Sequence, residues 1–533
     1  MNNFNEKIKA IFDPWQKSQC PGGQVYVKHA GQIIFDKCFG YADIEHDALV
    51  NENTIFHVAS VSKQITCMCI LILHEHGKLD INKDIRAYIS DLVLFKEAVT
   101  INDMMCNISG IRDQWSLQVI SGVRLSDHIT QSDLLALSGR QRSLGFKPRS
   151  NFGYSNTNFL FLSEIVKRVS GMNLNAFATK NIFKPLAMTD TFFRERYDQI
   201  IPNRAMSYKD CGDGDFLWKS LNYSNEGPTS LHTTATDFLK WLQNFRKPTI
   251  CKPETLEMML KIPELTDPEA ITNYACGVAV DKLGDSYRHI SHGGVDAAYN
   301  SFAMTFPDDE LDIVIFSNTD NVNLQNAAFK IARMILGIEE DVATDNKLYC
   351  DETGNLQDFI GEYLINKDTL ADIIEKDGHF FLEMNEKKSS IKHLDGNGYD
   401  LLDTPYELYI VSDEIFISVS PDMSFKLEKL VQASFSDKEM LDISGFYFNE
   451  ELETFYEIID EDGKLYMRHK RYGKAVILDI TEEDAKKRYY SLIEHPMKFN
   501  FVRTADERIS GLTISDGRAG DMLFQKVNFV FVE

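Results

Sequence analysis

Ser60-Val61-Ser62-Lys63 stands at the start of the apolar run at residues 65–73, and this stretch decides how the fold is interpreted. An apolar run of this length is typical of a buried helix and is too short to cross a membrane. Residues three apart share one face of a helix, so we expect the Lys63 amine beside the Ser60 hydroxyl. A serine hydroxyl is a poor nucleophile at neutral pH and needs a base within hydrogen-bond reach. The pattern alone has little weight, because roughly one or two are expected by chance in a chain of this length.

The composition limits the class of partner. A chain of 533 residues exceeds the size at which one hydrophobic core stops growing, so several domains are expected. Its 56 basic and 80 acidic residues give a net charge of −24. Long-range attraction to nucleic acid or to an anionic membrane surface would therefore have the wrong sign, which argues against both as partners.

The N-terminal sequence and the cysteines indicate the compartment. Residues 1–9 lack the basic and apolar segments of a signal peptide, and no stretch reaches the roughly 18 to 20 apolar residues of a membrane-spanning helix. None of the nine cysteines has the C-x-x-C spacing of zinc or dithiol sites. His74 and His76 do not share a helix face, so they predict no zinc site either. We expect a reduced, cytoplasmic protein without membrane insertion.

Strand patterns occur at both ends of residues 1–343, with helical patterns between them. Residues 23–42 are typical of a β-hairpin with Ala30-Gly31 at the turn, and the Ser60 helix is expected to end at Gly77. This arrangement predicts an α/β (α+β) domain, in which an antiparallel sheet is assembled from both ends of the segment and flanked by helices. The remaining elements are expected as an amphipathic helix at 159–169, strands at 277–280, 301–306 and 313–317, and a closing helix at 323–336.

An internal repeat occurs after about residue 345. Asp358-Phe359-Ile360-Gly361-Glu362-Tyr363 corresponds to Asp442-Ile443-Ser444-Gly445-Phe446-Tyr447, and Asp377-Gly378-His379-Phe380-Phe381 corresponds to Asp462-Gly463-Lys464-Leu465-Tyr466. The two signals have the same order and nearly the same offset. Short alternating segments with Asp-Gly turns predict two related all-β modules, small antiparallel barrels at residues 350–435 and 436–533.

Two further motifs carry groups that could act with Ser60. Tyr154-Ser155-Asn156 combines a phenol that can shuttle a proton with an amide that can hold an acyl amide by donor and acceptor together. Tyr223-Ser224-Asn225 repeats the tripeptide, but Tyr154 is preferred because it precedes the amphipathic helix. In His292-Gly293-Gly294, the glycines let another backbone approach closely, as a substrate along a strand edge would need, and His292 offers a titratable group or donor.

In the order Ser-x-x-Lys, Tyr-x-Asn and His-x-Gly, these motifs resemble the serine β-lactamase and penicillin-binding protein superfamily, and most closely class C β-lactamases, D-aminopeptidases and related esterases. The spacings suit that group, whereas Tyr223 is too far from Ser60 along the chain. The resemblance covers about residues 10–340, and the repeated tail is similar to the paired β-barrel modules of D-aminopeptidase-type members. Its flanking sequences are Phe56-His57-Val58-Ala59, Asn107-Ile108-Ser109-Gly110-Ile111, Phe183-Lys184-Pro185-Leu186-Ala187-Met188 and Leu231-His232-Thr233-Thr234-Ala235-Thr236-Asp237.

The resemblance implies a role for each motif. Ser60 would be the acylated nucleophile, and Lys63 would lower the barrier to its deprotonation. Tyr154 would be the general base in acylation and would activate water or the acceptor in deacylation, while Asn156 would orient the substrate amide. The backbone N–H groups of Ser60 and Val295 would form the oxyanion hole. No metal and no cofactor is implied.

The third motif bears on the substrate. Relatives with Lys-Thr-Gly use its lysine and hydroxyl to bind a carboxylate, whereas His292 offers a weaker, pH-dependent charge and Gly293 offers no hydroxyl. His292 is expected among the catalytic residues, and Gly293 and Gly294 are expected among the substrate-binding residues. Neutral groups, esters or a free amine fit better than a carboxylate, and a free amine would need an acidic residue nearby. Asp296 is one candidate for this acidic residue, and a carboxylate on a tail loop is another. Alternatively, Asp296 is a plain turn residue without a binding role.

The main hypothesis is a serine hydrolase that forms an acyl-enzyme through Ser60 and cleaves amide or ester bonds, with D-amino-acid peptides or amides as the preferred substrates. An esterase, a weak β-lactamase or a penicillin-binding protein is the first alternative. A catalytically retired ligand-binding or signalling protein is the second, and the three intact motifs count against it. The expected partner is a small-molecule or peptide substrate, and a homodimer is compatible with the sequence. Ser389-Ser390-Ile391-Lys392, in the tail, is assigned to chance, and His289 is expected to face away from His292.

Overall fold

The computed structural model describes residues 2–124, 126–212, 214–338, 355–365, 369–384, 387–393, 398–401, 406–411, 414–420, 423–480, 489–493 and 497–527. They form two compact units. The first takes in the described residues of 1–114, 126–210 and 216–339, and the second those of 115–125, 211–215 and 340–533. No described helix is long and apolar enough to cross a membrane.

The helices of the described residues are α1 (Asn2–Ile11), α2 (Ser62–Glu75), α3 (Arg86–Ile89), α4 (Ile101–Met105), α5 (Gln114–Ser121), α6 (Gln131–Gly139), α7 (Asn156–Ser170), α8 (Leu174–Ala178), α9 (Ala235–Gln243), α10 (Pro253–Leu260), α11 (Leu324–Leu336) and α12 (Asp437–Ile443). The strands of the first unit are β1 (Gly23–His29), β2 (Gln32–Phe39), β3 (Tyr41–Asp43), β4 (Ala48–Leu49), β5 (Phe56–His57), β6 (Phe192–Phe193), β7 (Tyr208–Gly212, which continues into the second unit), β8 (Asp215–Trp218), β9 (Leu231–Thr233), β10 (Ala279–Leu283), β11 (Tyr287–Asp296), β12 (Tyr299–Phe306) and β13 (Leu311–Ser317).

The central sheet of the first unit is antiparallel and has the strand order β10-β11-β12-β13-β1-β2. Strand β1 pairs with β2 on one side and with β13 on the other, so both ends of the segment build one sheet, as predicted. Every residue of β13 is buried, because helices cover both faces. Ile313 and Ile315 pack in the core beneath α1 and α11, while Phe316 meets Phe238 of α9 on the opposite face.

The two predicted helices that carry catalytic candidates are confirmed. Helix α2 is buried along residues 62–73, which explains why its sequence is apolar on all sides, and it ends before Gly77, whose φ is +66°. Helix α7 ends at Gly171 with φ +73° and packs against α2. The strand predicted at 277–280 begins only at Ala279, because Gly277 forms a turn at φ +74°.

In the second unit, the described strands form two closed antiparallel barrels of eight strands each. Strands β14–β21 close by pairing of β14 with β21, and β22–β29 close by pairing of β25 with β26; β21 also pairs with β25. The predicted barrel fold is therefore confirmed. The bounds are β14 (Gly361–Ile365), β15 (Thr369–Lys376), β16 (His379–Met384), β17 (Lys387–His393), β18 (Gly398–Leu401), β19 (Glu407–Val411), β20 (Glu414–Ser420), β21 (Met423–Gln432), β22 (Gly445–Asn449), β23 (Thr454–Glu461), β24 (Lys464–His469), β25 (Gly473–Ile480), β26 (Tyr489–Ser491), β27 (Met497–Arg503), β28 (Ile509–Asp516) and β29 (Ala519–Val527).

The sequence repeat builds the same local structure twice. Tyr363 donates its hydroxyl to the Phe359 carbonyl, and Tyr447 donates to the Ile443 carbonyl four residues before it. A lysine Nζ lies 5.8 Å from the Tyr363 ring and another lies 5.9 Å from the Tyr447 ring. The Asp-Gly turns have matching φ angles of +54° and +77° at 377–378 and of +54° and +76° at 462–463. The predicted domain boundaries at 343, 350 and 533 lie outside the described residues and stay predictions.

Helix α5 was not expected in this unit. The Tyr456 hydroxyl donates to the Ile120 carbonyl over 3.1 Å, and the Tyr472 hydroxyl donates to the Val119 and Val123 carbonyls over 2.9 Å each. The described residues of 115–125 therefore pack with the second barrel, although in sequence they lie between two segments of the first unit.

Candidate active site

The backbone around Ser60 turns sharply into α2. Ala59 has φ +45°, an unusual value for a residue with a side chain, and begins the short 3₁₀ turn Ala59–Val61 that leads into the helix. Lys63 is fully buried one turn later, and its Nζ lies 2.9 Å from Ser60 Oγ. The structure thus brings together the serine and lysine of the first motif.

Lys63 is held by groups from three segments of the chain. Its Nζ donates to Asn156 Oδ1 and to the Pro228 carbonyl, over 2.8 Å in each case. The ring centroids of Tyr154 and Phe159 lie 4.8 Å and 5.2 Å from the same nitrogen. Aromatic faces attract a lysine side chain through the ring quadrupole, so both rings help to hold Lys63 in place.

Asn156 is itself fixed by Asp113. The backbone N–H and the side-chain Nδ2 of Asn156 both donate to Asp113 Oδ2, over 2.6 and 2.8 Å. The preceding Ser155 N–H donates to Asn107 Oδ1 over 3.1 Å. Oδ1 of Asn156 faces Lys63 and Asp113 uses one proton of Nδ2, so the other Nδ2 proton has no acceptor among the described residues.

The second glycine of the third motif lies against the nucleophile's own backbone. A Cβ on Gly294 would come within 2.8 Å of the Ser60 nitrogen and 2.5 Å of the Val58 carbonyl oxygen. Glycine is therefore required there for packing between β11 and the 3₁₀ turn. The expected contact with a substrate lying along the strand stays a prediction. Val295 follows, with its side chain 69% exposed.

His292 does not carry the pH-dependent charge expected from the sequence. Burial and the nearby Lys63 lower the pKa of His292 to about 3, although the hydrogen bond with the Gly293 backbone acts in the opposite direction. The ring is therefore neutral at physiological pH. Its Nδ1 faces the Gly293 carbonyl, which can only accept, so Nδ1 carries the proton. Its Nε2 then accepts from the Tyr274 hydroxyl at 2.9 Å. Both ring nitrogens are therefore engaged within the described residues. The catalytic role expected of His292 stays a prediction.

Asp296 is the last residue of β11, before a two-residue turn to β12. Its carboxylate accepts hydrogen bonds from His57 Nε2 at 3.0 Å, from Thr229 Oγ1 at 3.0 Å and from the Tyr223 hydroxyl. The repeated tripeptide that begins at Tyr223 therefore lies near this site despite its distance along the chain. It does so without taking the place of Tyr154 beside Lys63.

A cavity of about 500 Å³ opens beside Tyr154 and His292. It extends past Phe302 toward Phe329 and Arg333 of α11. His289 also lines it, and its ring packs against Phe306 and Phe329, away from the Lys63 side of β11. Tyr154 connects the cavity to the serine–lysine pair, because its ring also lies beside Lys63.

Several residues of this site have no signal in the sequence. Asp113 and Tyr274 act on Asn156 and His292 through contacts between segments that are distant along the chain. Pro228 contributes a backbone carbonyl, which every residue possesses. His57 lies in a stretch that the family resemblance covers, but its contact with Asp296 depends on the fold.

Metal and disulfide chemistry have no visible site in the described part of the chain. No group of three or more His, Cys, Asp or Glu side chains there has metal-binding geometry. The described cysteines are free thiols. Burial raises the pKa of Cys69, inside α2, far above its usual value, which marks it as an inert core residue.

A serine beside a buried lysine at the start of a helix, in an α/β domain with an antiparallel sheet, defines a serine hydrolase of the β-lactamase-like fold. The family model described as Beta-lactamase matches residues 8–333, which is more than half of the chain, and the chain belongs to this family.

Individual relatives are distant but cover most of the chain. A D-aminopeptidase of Brucella ovis is 24% identical over 518 residues, covering 94% of this chain and 94% of that protein. Penicillin-binding protein 4* of Bacillus subtilis is 23% identical over 401 residues, covering 72% of this chain and 88% of that protein. The solved structure of D-amino acid amidase from Ochrobactrum anthropi SV3, complexed with D-phenylalanine, has a TM-score of 0.53 at 17% identity, covering 63% of this chain and 100% of that chain. The last comparison establishes likeness of fold.

Proposed function

We propose that the chain cleaves amide or ester bonds through an acyl-enzyme on Ser60, with D-amino-acid peptides or amides as substrates. The observation that carries the proposal is the 2.9 Å contact between Lys63 Nζ and Ser60 Oγ, in a pocket that also holds Tyr154 and Asn156. Similarity to a D-aminopeptidase along nearly the whole chain supports the choice of substrate.

The surroundings of Lys63 suit two protonation states. As an ammonium, Nζ donates to Asn156 Oδ1, to the Pro228 carbonyl and to Ser60 Oγ. As a neutral amine, it keeps two N–H groups for the two carbonyl oxygens and points its lone pair at the Ser60 hydroxyl. A proton can therefore pass between Ser60 and Lys63 without rearrangement of the pocket, which lowers the barrier to forming the nucleophile.

Tyr154 takes the role of general base in this proposal. Ser60 Oγ attacks the substrate carbonyl carbon as its proton passes to the Tyr154–Lys63 pair, and the bond to the leaving amine or alcohol breaks as that group receives the proton. Water then attacks the acyl-enzyme by the same route in reverse and frees Ser60. Asn156 directs its remaining Nδ2 proton at the substrate amide oxygen.

The oxyanion hole consists of the N–H groups of Ser60 and Val295. Close packing of Gly294 against the Ser60 nitrogen fixes the distance between these two donors. Such preorganised donors contribute about 3 to 4 kcal/mol each to transition-state stabilisation, because they need not reorient when negative charge develops.

An esterase is the second candidate function, and the neutral state of His292 is the observation that favours it. A cationic residue in the third motif would attract a substrate carboxylate, and His292 supplies no positive charge at physiological pH. Neutral esters and substrates with an amine on the acyl side are therefore favoured over substrates recognised through a carboxylate. This weakens the β-lactamase and penicillin-binding alternatives.

The test compares Ser60→Ala with Ser389→Ala, which changes the serine of the second Ser-x-x-Lys sequence. Each protein is treated with a fluorophosphonate probe and assayed on D-alanine p-nitroanilide, p-nitrophenyl acetate and a chromogenic cephalosporin. We expect labelling and hydrolysis by the wild type and by Ser389→Ala, and neither by Ser60→Ala. Retained labelling in Ser60→Ala, or no labelling and no turnover in the wild type, overturns the acyl-enzyme proposal. The ratio of anilide to ester turnover separates an aminopeptidase from an esterase.

The cytoplasmic location and the homodimer expected from the sequence remain predictions. Light scattering coupled to gel filtration tests the homodimer through the molar mass of the eluting protein. Fractionation of the native cell tests the location. Neither outcome bears on the chemistry proposed for Ser60.

A further inference from the structure

We propose that the Asp296 carboxylate binds the positively charged α-amino group of the substrate, so that the enzyme selects substrates with a free N-terminal amine. The inference rests on the proposed function, since it names the group that the same active site recognises on the acyl side. It is carried by the hydrogen bonds of Asp296, by its place beside the nucleophile and by the absence of a cationic partner among the described residues.

The two oxygens of Asp296 have different surroundings. Oδ2 accepts from His57, from Thr229 and from the Tyr223 hydroxyl, so three donors hold one oxygen in place. No donor among the described residues reaches Oδ1. The side chain is 17% exposed. A carboxylate fixed through one oxygen, with the other open, is preorganised to accept hydrogen bonds from a ligand.

Asp296 forms no ion pair with a lysine or an arginine among the described residues. Burial raises the pKa of Asp296, but the hydrogen bond and electrostatic attraction of His57 and the hydrogen bonds from Tyr223 and Thr229 outweigh it. The net pKa of Asp296 therefore lies below the usual value. Burial lowers the pKa of His57, which is therefore neutral and donates through Nε2–H while its Nδ1 has no partner among the described residues. Asp296 thus carries a full negative charge on a largely buried side chain.

Buried Arg194 and Asp296 attract each other electrostatically, but they form no ion pair. Buried Arg194 donates to the carbonyls of Tyr223 and Tyr197, over 2.7 and 3.5 Å, and makes no ion pair with Asp296. Tyr299, which pairs with Asp296 across the hairpin, has a pKa raised to about 12 by burial and is neutral. Buried charges are ordinarily paired, so an ionised carboxylate facing only neutral donors is suited to a cation brought by a ligand.

Asp296 is connected to the catalytic groups by two short stretches of chain. Along β11 it is two residues from Gly294, whose Cα faces the Ser60 nitrogen, and one residue from Val295. Its donor Thr229 directly follows Pro228, whose carbonyl accepts from Lys63. An amine on the carbon next to the scissile carbonyl would therefore lie within reach of Oδ1 while the carbonyl lies at Ser60.

The decisive comparison uses two substrates that differ in one group. D-alanine methyl ester presents an ammonium where D-lactate methyl ester presents a hydroxyl of similar size. For the wild type at pH 6, we expect kcat/KM to favour the alanine ester by about 10- to 100-fold, the range expected of a charge-assisted hydrogen bond. The preference should fall as the pH rises and the substrate amine loses its proton. Equal kcat/KM for both esters at pH 6 overturns the inference.

Variants locate the preference at Asp296. Asp296→Asn should abolish the preference by raising KM for the alanine ester, with little change for the lactate ester. Thr229→Val removes one donor but keeps the carboxylate, so it should retain the preference. A loss of both activities together in Asp296→Asn, with native circular dichroism and thermal unfolding, indicates a structural role and contradicts the inference. If Asp296→Asn fails to fold, the two-ester comparison on the wild type still decides.

Failure of the inference differs from failure of the proposed function. If the wild type hydrolyses both esters equally and Ser60→Ala hydrolyses neither, the acyl-enzyme stands and only the role of Asp296 is rejected. If the wild type hydrolyses neither ester and Ser60 is not labelled by the fluorophosphonate, the proposed function itself is rejected.

Discussion

Ser60-x-x-Lys63 and Ser389-x-x-Lys392 place the same two residue types at the same spacing in different secondary structures. In the first unit, the turn into α2 brings Lys63 Nζ to 2.9 Å from Ser60 Oγ, and the lysine is fully buried. In the second unit, the pair lies in β17, where Ser389 is buried and Lys392 is exposed. Residues three apart in a strand point to opposite faces and are about 10 Å apart along it, so the second pair cannot share a proton.

The two Ser-x-x-Lys pairs differ in their surroundings, and it is the surroundings of Lys63 that determine its chemistry. Lys63 reaches acceptors on two other segments, at Asn156 and Pro228, and aromatic rings at Tyr154 and Phe159 flank it. These contacts determine where Nζ points and how many of its protons are committed. A pattern match supplies the residue types, whereas the packing of α7 against α2 supplies the site.

The largest expected difference follows from removing the lysine in each pair. Lys63→Met should lower kcat on an activated ester by about 10³-fold, the scale of losing a proton-transfer partner. Lys392→Met should leave kcat unchanged. Stopped-flow or steady-state hydrolysis of p-nitrophenyl acetate measures both, with circular dichroism as the check on folding. Similar kcat values for the two variants would mean that Lys63 takes no part in the reaction.

The two Tyr-Ser-Asn tripeptides provide the next comparison. Tyr154→Phe removes the phenol beside Lys63 and should lower kcat by about 10²-fold. Tyr223→Phe removes one of three donors to Asp296, so it should lower stability by about 1 to 2 kcal/mol and change kcat far less. Hydrolysis rates and urea unfolding of both variants measure these effects. A larger loss of kcat in Tyr223→Phe would move the general base away from Tyr154.

Much of the fold could be predicted because its signals are local. The positive φ angles at Ala30 and Gly31 fit a two-residue hairpin turn, and the Asp-Gly repeats do the same in the barrels. Gly171 follows α7 in the left-handed conformation that ends helices. The association of α5 with the second barrel could not be predicted, because it depends on tyrosine hydroxyls that meet backbone carbonyls more than 300 residues away.

The features of the candidate active site also divide into those that the sequence predicts and those that depend on the folded chain. Ser60 and Lys63 are neighbours through helix geometry alone, so their contact was predictable. The lowered pKa of His292 was not, because it arises from burial and from the nearby Lys63, which only the folded chain brings close to His292. Asp296 was recognised as a candidate from its place after the third motif. Its three donors come from segments that only the folded chain brings together.

A substitution of Gly294 in the third motif tests how closely β11 packs against the backbone of Ser60. In Gly294→Ala, the new Cβ would come within 2.8 Å of the Ser60 nitrogen, and all three nearest contacts are closer than a real Cβ allows. We expect about a 10-fold or greater loss of kcat/KM and a destabilisation of about 1 to 3 kcal/mol from overpacking. Gly520→Ala, in the second unit, has no atom within 4 Å of the new Cβ and should be neutral in activity and stability. Unchanged kcat/KM in Gly294→Ala would exclude close packing against Ser60.

The last expected effect concerns the pH dependence of stability, and it separates a charged from a neutral His292. The folded-state pKa of about 3 lies below the ordinary value of 6.5, so between these pH values the unfolded chain binds a proton at His292 that the folded chain does not. Stability should therefore fall as the pH decreases from 6.5 toward 3, and His292 contributes a slope of up to about 1.4 kcal/mol per pH unit. Buried His57, His232 and His289 have lowered pKa values and act in the same direction.

The measurement is the unfolding free energy of the wild type and of His292→Gln between pH 4 and pH 7. The variant should show a shallower slope, though not a flat one, because His57, His232, His289 and His469 also have lowered pKa values. Ser389→Ala removes no titratable group and should keep the wild-type slope. The same neutrality means that His292 produces no inflection in log(kcat/KM) between pH 5 and pH 8. If His292→Gln has the wild-type stability slope and loses an inflection in that range, His292 titrates in the folded enzyme and supplies a charge to the substrate after all.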